Sequence, residues 1–130
     1  MITARDLSRL SAERIKAHDR EGWLALFEED AVVQDPVGPS VFDPDGKGHH
    51  GREGIARFHD MAIAPNKDVA FEVHNSYLCG DEAANVVTLH ITAGDDSKFK
   101  VPCVIVYKAS PNGKIASLRA FWEAAGIPGF

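Results

Sequence analysis

The chain has 130 residues, 45% of them hydrophobic and 25% charged, with a net charge of −5; this is the composition of one globular domain, 1–130, long enough to bury roughly two-thirds of its unfolded surface. Its 14 Lys and Arg residues are scattered without a basic run, which argues against nucleic acid as a partner. No apolar run is long enough to insert in a membrane, and the N-terminus lacks the apolar stretch of a secretory signal, so a cytoplasmic location is expected.

In chain order, Thr3 with Asp6 forms a capping pair, and Leu7, Leu10 and Ile15 follow at helical spacing, predicting an amphipathic helix over 4–18. A second helix is predicted over 21–28, with Trp23, Leu24, Leu26 and Phe27 on its apolar side. Next comes a short strand, "VVQDPVG", that ends on Asp35. Val32 and Val33 favour a strand, whereas Asp35 does not, and Pro36 removes the next ladder donor. Asp35 is either an Asx-type turn residue or a carboxylate held at a strand end for chemistry.

Residues 36–51, "PVGPSVFDPDGKGHHG", are too rich in Gly and Pro for regular structure and predict a long loop of the kind that forms lids. Helical spacing resumes over 51–62 with Ile55, Phe58 and Met61, until Pro65 ends it. From there the period changes to two. Strands are predicted over 68–79, 84–93, 98–109 and 114–125, separated by Gly80-Asp81, Gly94-Asp95 and Pro111-Asn112-Gly113. Helices first and strands afterwards give an α+β fold, a curved and mainly antiparallel sheet packing its concave side on three N-terminal helices. Phe99, Val101, Cys103, Ile105 and Tyr107 share one face of the third long strand. Ala116, Leu118, Ala120, Trp122 and Ala124 share one face of the fourth. Both faces are apolar enough for a core or for the lining of a pocket.

Cys79 and Cys103 lie in no CxxC pair and read as small buried hydrophobes. The six histidines lack metal-ligand spacing, and no GxGxxG, P-loop or GxSxG is present, so neither metal nor cofactor is expected.

Three stretches, "HDREGWLALFEEDAVVQDPVG", "GREGIARFHD" and "NGKIASLRAFW", together resemble ketosteroid isomerase, within the superfamily of nuclear-transport-factor-two-like and polyketide-cyclase-like proteins. The similarity runs in the same order over nearly the whole chain. It implies a cone-shaped fold that encloses an apolar pocket, and a homodimer built on the outer face of the sheet, where Val86, Thr88 and His90 fall. It also implies that Asp35 is a general base moving a proton between two carbons of a 3-oxo steroid, with Trp122 as part of an apolar wall that raises its pKa. The family's two oxyanion donors, a tyrosine and a protonated aspartic acid, fall on Ser11 and Cys103, which are weaker donors. Substitute ligand contacts are expected from His59, Tyr107 and, at helical spacing with Ser11, Arg14; His49 or His50 could close over a ligand from the loop.

Three functions follow. The first is an isomerase acting on a steroid-like apolar ketone. The second is a non-catalytic carrier of such ligands, and the third a dehydratase or cyclase that pairs Asp35 with His59 or His90. An epoxide hydrolase relative would want an Asp-Arg-Asp set, where the third long strand offers Val101 and Cys103.

Overall fold

The computed structural model describes residues 1–127. Helix α1 spans Ala4–Lys16 and opens on a reciprocal cap: the Asp6 N–H donates to the Thr3 hydroxyl and the Thr3 N–H donates to the Asp6 carboxylate. Its buried face is Ala4, Leu7, Ser8, Ser11 and Ile15, the stripe that a 3.6-residue period dictates. Helix α2, Arg20–Leu24, is shorter than the spacing predicts. The apolar run that reads as its continuation, Leu26 and Phe27, is recruited by a strand instead, because the Ile115 N–H donates to the Leu26 carbonyl and Phe27 pairs with Ile115.

That strand is β1, Phe27–Gln34, followed by β2, His49–His50. The loop therefore ends at Gly48, three residues before the end of the expected 36–51. His49 and His50 lie antiparallel to Val33 and Val32, a pairing across the loop that no local signal announces. Helix α3, Gly51–Phe58, continues into a π-helical turn, His59–Ile63. The long strands follow as β3, Asp68–Cys79; β4, Glu82–Thr92; β5, Lys98–Ala109; and β6, Ile115–Phe121. Gly80 and Gly113 take positive φ at the turns, where a Cβ would be strained.

The sheet has six strands in the order β2-β1-β6-β5-β4-β3, antiparallel except where β1 lies parallel to β6. Strand β1 is irregular against β6: Phe27 pairs with Ile115 and Val32 with Ser117, so five steps on one strand match two on the other. The open, curved sheet carries the helices on its concave side, where Val101, Cys103, Ile105 and Tyr107 of β5 are buried with Leu118 and Ala120 of β6. Strand β6 stops at Phe121, so Trp122 and Ala124 lie past its end rather than within a strand running to 125. On the convex side the His90 and His74 imidazoles meet the Glu72 carboxylate and the Thr88 hydroxyl, both at 2.8 Å. Leu89 and Ile91 face inward. His90 is therefore turned away from the interior and cannot serve Asp35.

Candidate functional site

Between the helices and the concave sheet lies a cavity of about 310 Å³, within the range of small-molecule sites. Phe71, Leu89, Ile91, Phe99 and Val101 form its floor, α3 and the π-helical turn its opposite wall, and Phe42 reaches it from the loop, edge-on to Phe58 at 6.1 Å between ring centroids. Among the described residues that line it, only Asp35, Asn66 and Trp122 carry nitrogen or oxygen in the side chain.

The backbone on both sides of Asp35 is fastened to β6. Gln34 pairs with Arg119, and past the cis Asp35–Pro36 bond the Val37 N–H donates to the Ala120 carbonyl. This double attachment sets the carboxyl beneath Trp122, whose indole N–H donates to Asp35 Oδ1 at 2.6 Å. Asp35 lies deep in the protein and keeps partial accessibility because it faces the cavity. Oδ2 accepts from no donor among the described residues. Burial pushes the Asp35 pKa from its ordinary value of 3.8 up to about 6, and the Trp122 hydrogen bond opposes the rise. A carboxylate so placed is a stronger base than one in water, yet is still ionised at neutral pH.

The other residues singled out in the sequence form a separate layer. Ser11 is fully buried and accepts from the Trp23 indole N–H at 2.9 Å, while the Tyr107 hydroxyl shares a hydrogen bond with it. Cys103 is buried near enough to Asp35 to feel its charge, which adds to burial in pushing the thiol up to about 12. Burial likewise pushes the Tyr107 phenol upward, with Asp35 contributing. All three stand behind Asp35, and none lines the cavity. His59 is 6% exposed and packs on Trp23 at 5.3 Å. Its pKa is lowered, chiefly by burial, and its Nδ1, 3.8 Å from the Asp60 carboxylate, has no hydrogen-bond partner among the described residues. Arg14 leaves the interior for the carboxylate of Asp19 at 3.7 Å. His49 packs on Phe58 and lines a second, outer pocket with His50, Arg57 and Met61.

Of the expected set, then, the structure brings Asp35 and Trp122 together at the cavity and groups Ser11, Cys103 and Tyr107 behind them. It leaves Arg14 and His59 off the lining. Sequence reasoning missed Phe42, Phe58 and Asn66 as lining residues. Phe58 carried a helical-period signal, whereas Phe42 and Asn66 sit in segments without periodicity. Among the described residues no group of His, Cys, Asp and Glu is placed to hold a metal ion, and no helix is long and apolar enough to cross a membrane.

Residues 8–118 match the SnoaL-like domain. Three solved structures are similar over 95% of this chain and 95% of theirs. RV0760c from Mycobacterium tuberculosis, in complex with estradiol-17beta-hemisuccinate, is 34% identical with a TM-score of 0.87. The Delta 5-3-Ketosteroid Isomerase from Mycobacterium sp. is 32% identical with a TM-score of 0.87. A computationally designed 17-OHP binder is 32% identical with a TM-score of 0.88. No curated protein matches the chain.

Proposed function

Because the chain belongs to the SnoaL-like domain family, we propose that its cavity takes a flat, apolar ketone of the steroid class and that Asp35 shifts a carbon–carbon double bond within it. The observation that carries this reading is a carboxylate facing an apolar cavity, one of its oxygens without a donor among the described residues, with a pKa of about 6. The similarity to a steroid-bound protein, a ketosteroid isomerase and a steroid binder supports the ligand class.

In the proposed reaction Asp35 Oδ2 takes the proton from the carbon beside the ketone. The electrons of the broken C–H bond pass to the ketone oxygen as a dienolate. The same oxygen then returns the proton two carbons further along, and the double bond ends in conjugation with the ketone. Trp122 holds Oδ1, so the carboxyl pivots little between the two positions. The apolar walls keep water from exchanging the proton. No metal or cofactor enters the scheme.

The dienolate oxygen is the weak point. Neither Ser11 nor Cys103 is on the cavity lining, and each missing oxyanion donor costs about 10²–10³ in rate. We therefore assign the enzyme a slow turnover. The same observation favours the second reading, a carrier that binds the steroid without converting it. Ultraviolet absorbance of 5-androstene-3,17-dione as it conjugates separates the two. Isomerisation above the buffer rate that disappears in Asp35→Asn supports the isomerase, and binding with only the buffer rate supports the carrier. A homodimer belongs to the same reading: Val86, Val104 and Phe121 are exposed on the convex face of the sheet and suit contact with a second copy.

A further inference from the structure

Asn66 stands where the π-helical turn ends, at a rim shared with the exposed Met61 and Pro65. Its main-chain N–H donates to the Ile63 carbonyl at 3.1 Å. Its side-chain Nδ2 donates to the Ala62 carbonyl at 3.0 Å and leans toward that of Ile63 at 3.4 Å. Both groups that face Nδ2 are carbonyl oxygens, which only accept, so the orientation of the amide is forced by its surroundings. Closing the helical turn therefore uses the nitrogen. The amide oxygen is left over, with no donor among the described residues, on a side chain that lines the cavity. Capping alone would be met by any donor, and does not account for an acceptor held still at the edge of an apolar cavity.

The position of that oxygen relative to Asp35 gives it meaning. The charge of Asp35 reaches Cys103, which pairs with Val87. The Asn66 end is tied to β4 by the Lys67 N–H, which donates to the Thr92 carbonyl. Val87 and Thr92 are five steps apart on β4, on the order of 16 Å along the strand. The carboxylate thus stands toward one end of the cavity and the amide oxygen toward the other, with the apolar lining of Leu89, Ile91, Phe99 and Val101 between them, the direction along which a rigid four-ring skeleton would lie.

We propose that Asn66 Oδ1 determines specificity, selecting among flat apolar ketones those that carry a hydroxyl at the end remote from the reacting ketone. A hydroxyl there donates to Oδ1. A second ketone in its place sets oxygen against oxygen and leaves both without a proton. The inference rests on the steroid-class reading above and names the substrate within it.

A matched pair of ligands tests it, read by the change in tryptophan fluorescence on filling the cavity that Trp122 lines: testosterone, with a remote hydroxyl, and androst-4-ene-3,17-dione, with a remote ketone. The wild-type protein is expected to bind the hydroxyl compound about tenfold more tightly, the effect of one neutral hydrogen bond at a partly accessible site. Asn66→Ala brings the ratio near one. Asn66→Lys keeps a donor for the two carbonyls but offers no acceptor, and brings the ratio near one as well, since a hydroxyl oxygen and a ketone oxygen both accept from an ammonium. A wild-type ratio near one, or a ratio that survives both substitutions, overturns the role of Asn66 while the ligand class stands. Failure of the wild-type protein to bind either steroid removes the ligand class and this inference together.

Discussion

Replacing Asp35 by Asn should make the protein more stable at neutral pH, because burial penalises the ionised carboxylate. Its pKa is 3.8 in ordinary surroundings and about 6 in the folded protein. For an acid whose folded pKa is raised, the folded state binds the extra proton, so stability is greatest below the unfolded value and is lost as pH rises through the folded one. The loss spans pH 4 to 6 and is complete above pH 7. Two pKa units and a fraction correspond to about 3 kcal/mol at pH 8 and about 1 kcal/mol at pH 4.5. Asn cannot ionise, yet it keeps an Oδ1 for the Trp122 N–H, so packing and the hydrogen bond survive. Other titrating groups act equally in both proteins and cancel. Urea unfolding at the two pH values reads the difference directly. The advantage of Asp35→Asn over wild type should grow by about 2 kcal/mol from pH 4.5 to pH 8. An advantage that does not change with pH would mean that the carboxyl is solvated, and the case for a desolvated base would go with it.

Further expectations follow from the same geometry. The kcat/KM for double-bond migration should rise with pH and level off above about pH 6, since the ionised form of Asp35 is the base; a profile flat from pH 4.5 to 8 would point to another group. Trp122→Phe removes the N–H that holds the Asp35 pKa down, so the midpoint of that profile should move upward and stability at pH 8 should fall by roughly 1–3 kcal/mol. Ser11→Ala leaves the buried Trp23 N–H and Tyr107 hydroxyl without a shared partner and should cost about 1–3 kcal/mol in urea unfolding. A loss under about 0.5 kcal/mol would show that water takes the place of the serine hydroxyl.

Much of this molecule was legible in its sequence, for reasons that differ by element. The long strands announced themselves because alternation and Gly-containing turns are local signals, and β3 and β5 run as expected. The start of β1 was not legible. Trp23 to Phe27 satisfies a helical stripe as well as a strand, and only the partnership of Phe27 with Ile115, far along the chain, decides it. Strand β2 was hidden for the same reason, since two histidines carry no strand signal without Val32 and Val33 beside them. The position of Asp35 at the end of β1 could be read because the β-branched Val32 and Val33 come shortly before it and Pro36 follows it. Asn66 could not: a polar residue after a helix looks like any cap, and only the identity of the groups around its nitrogen reveals a spare oxygen. Ser11 fell at an expected donor position, but the Trp23 indole engages it from within the core.

The foot of the irregular stretch of β1 is tied to helix α3. The Arg52 guanidinium donates from Nε and Nη2 to the Phe27 carbonyl at 3.0 and 2.7 Å, joining the first turn of α3 to the foot of the strand that leads to Asp35. That clasp fixes how far the helix can slide along its neighbour, and Phe58 at the helix's other end moves with it. Changes at this distant arginine thus offer a handle for widening or narrowing the binding chamber while leaving every residue inside it untouched.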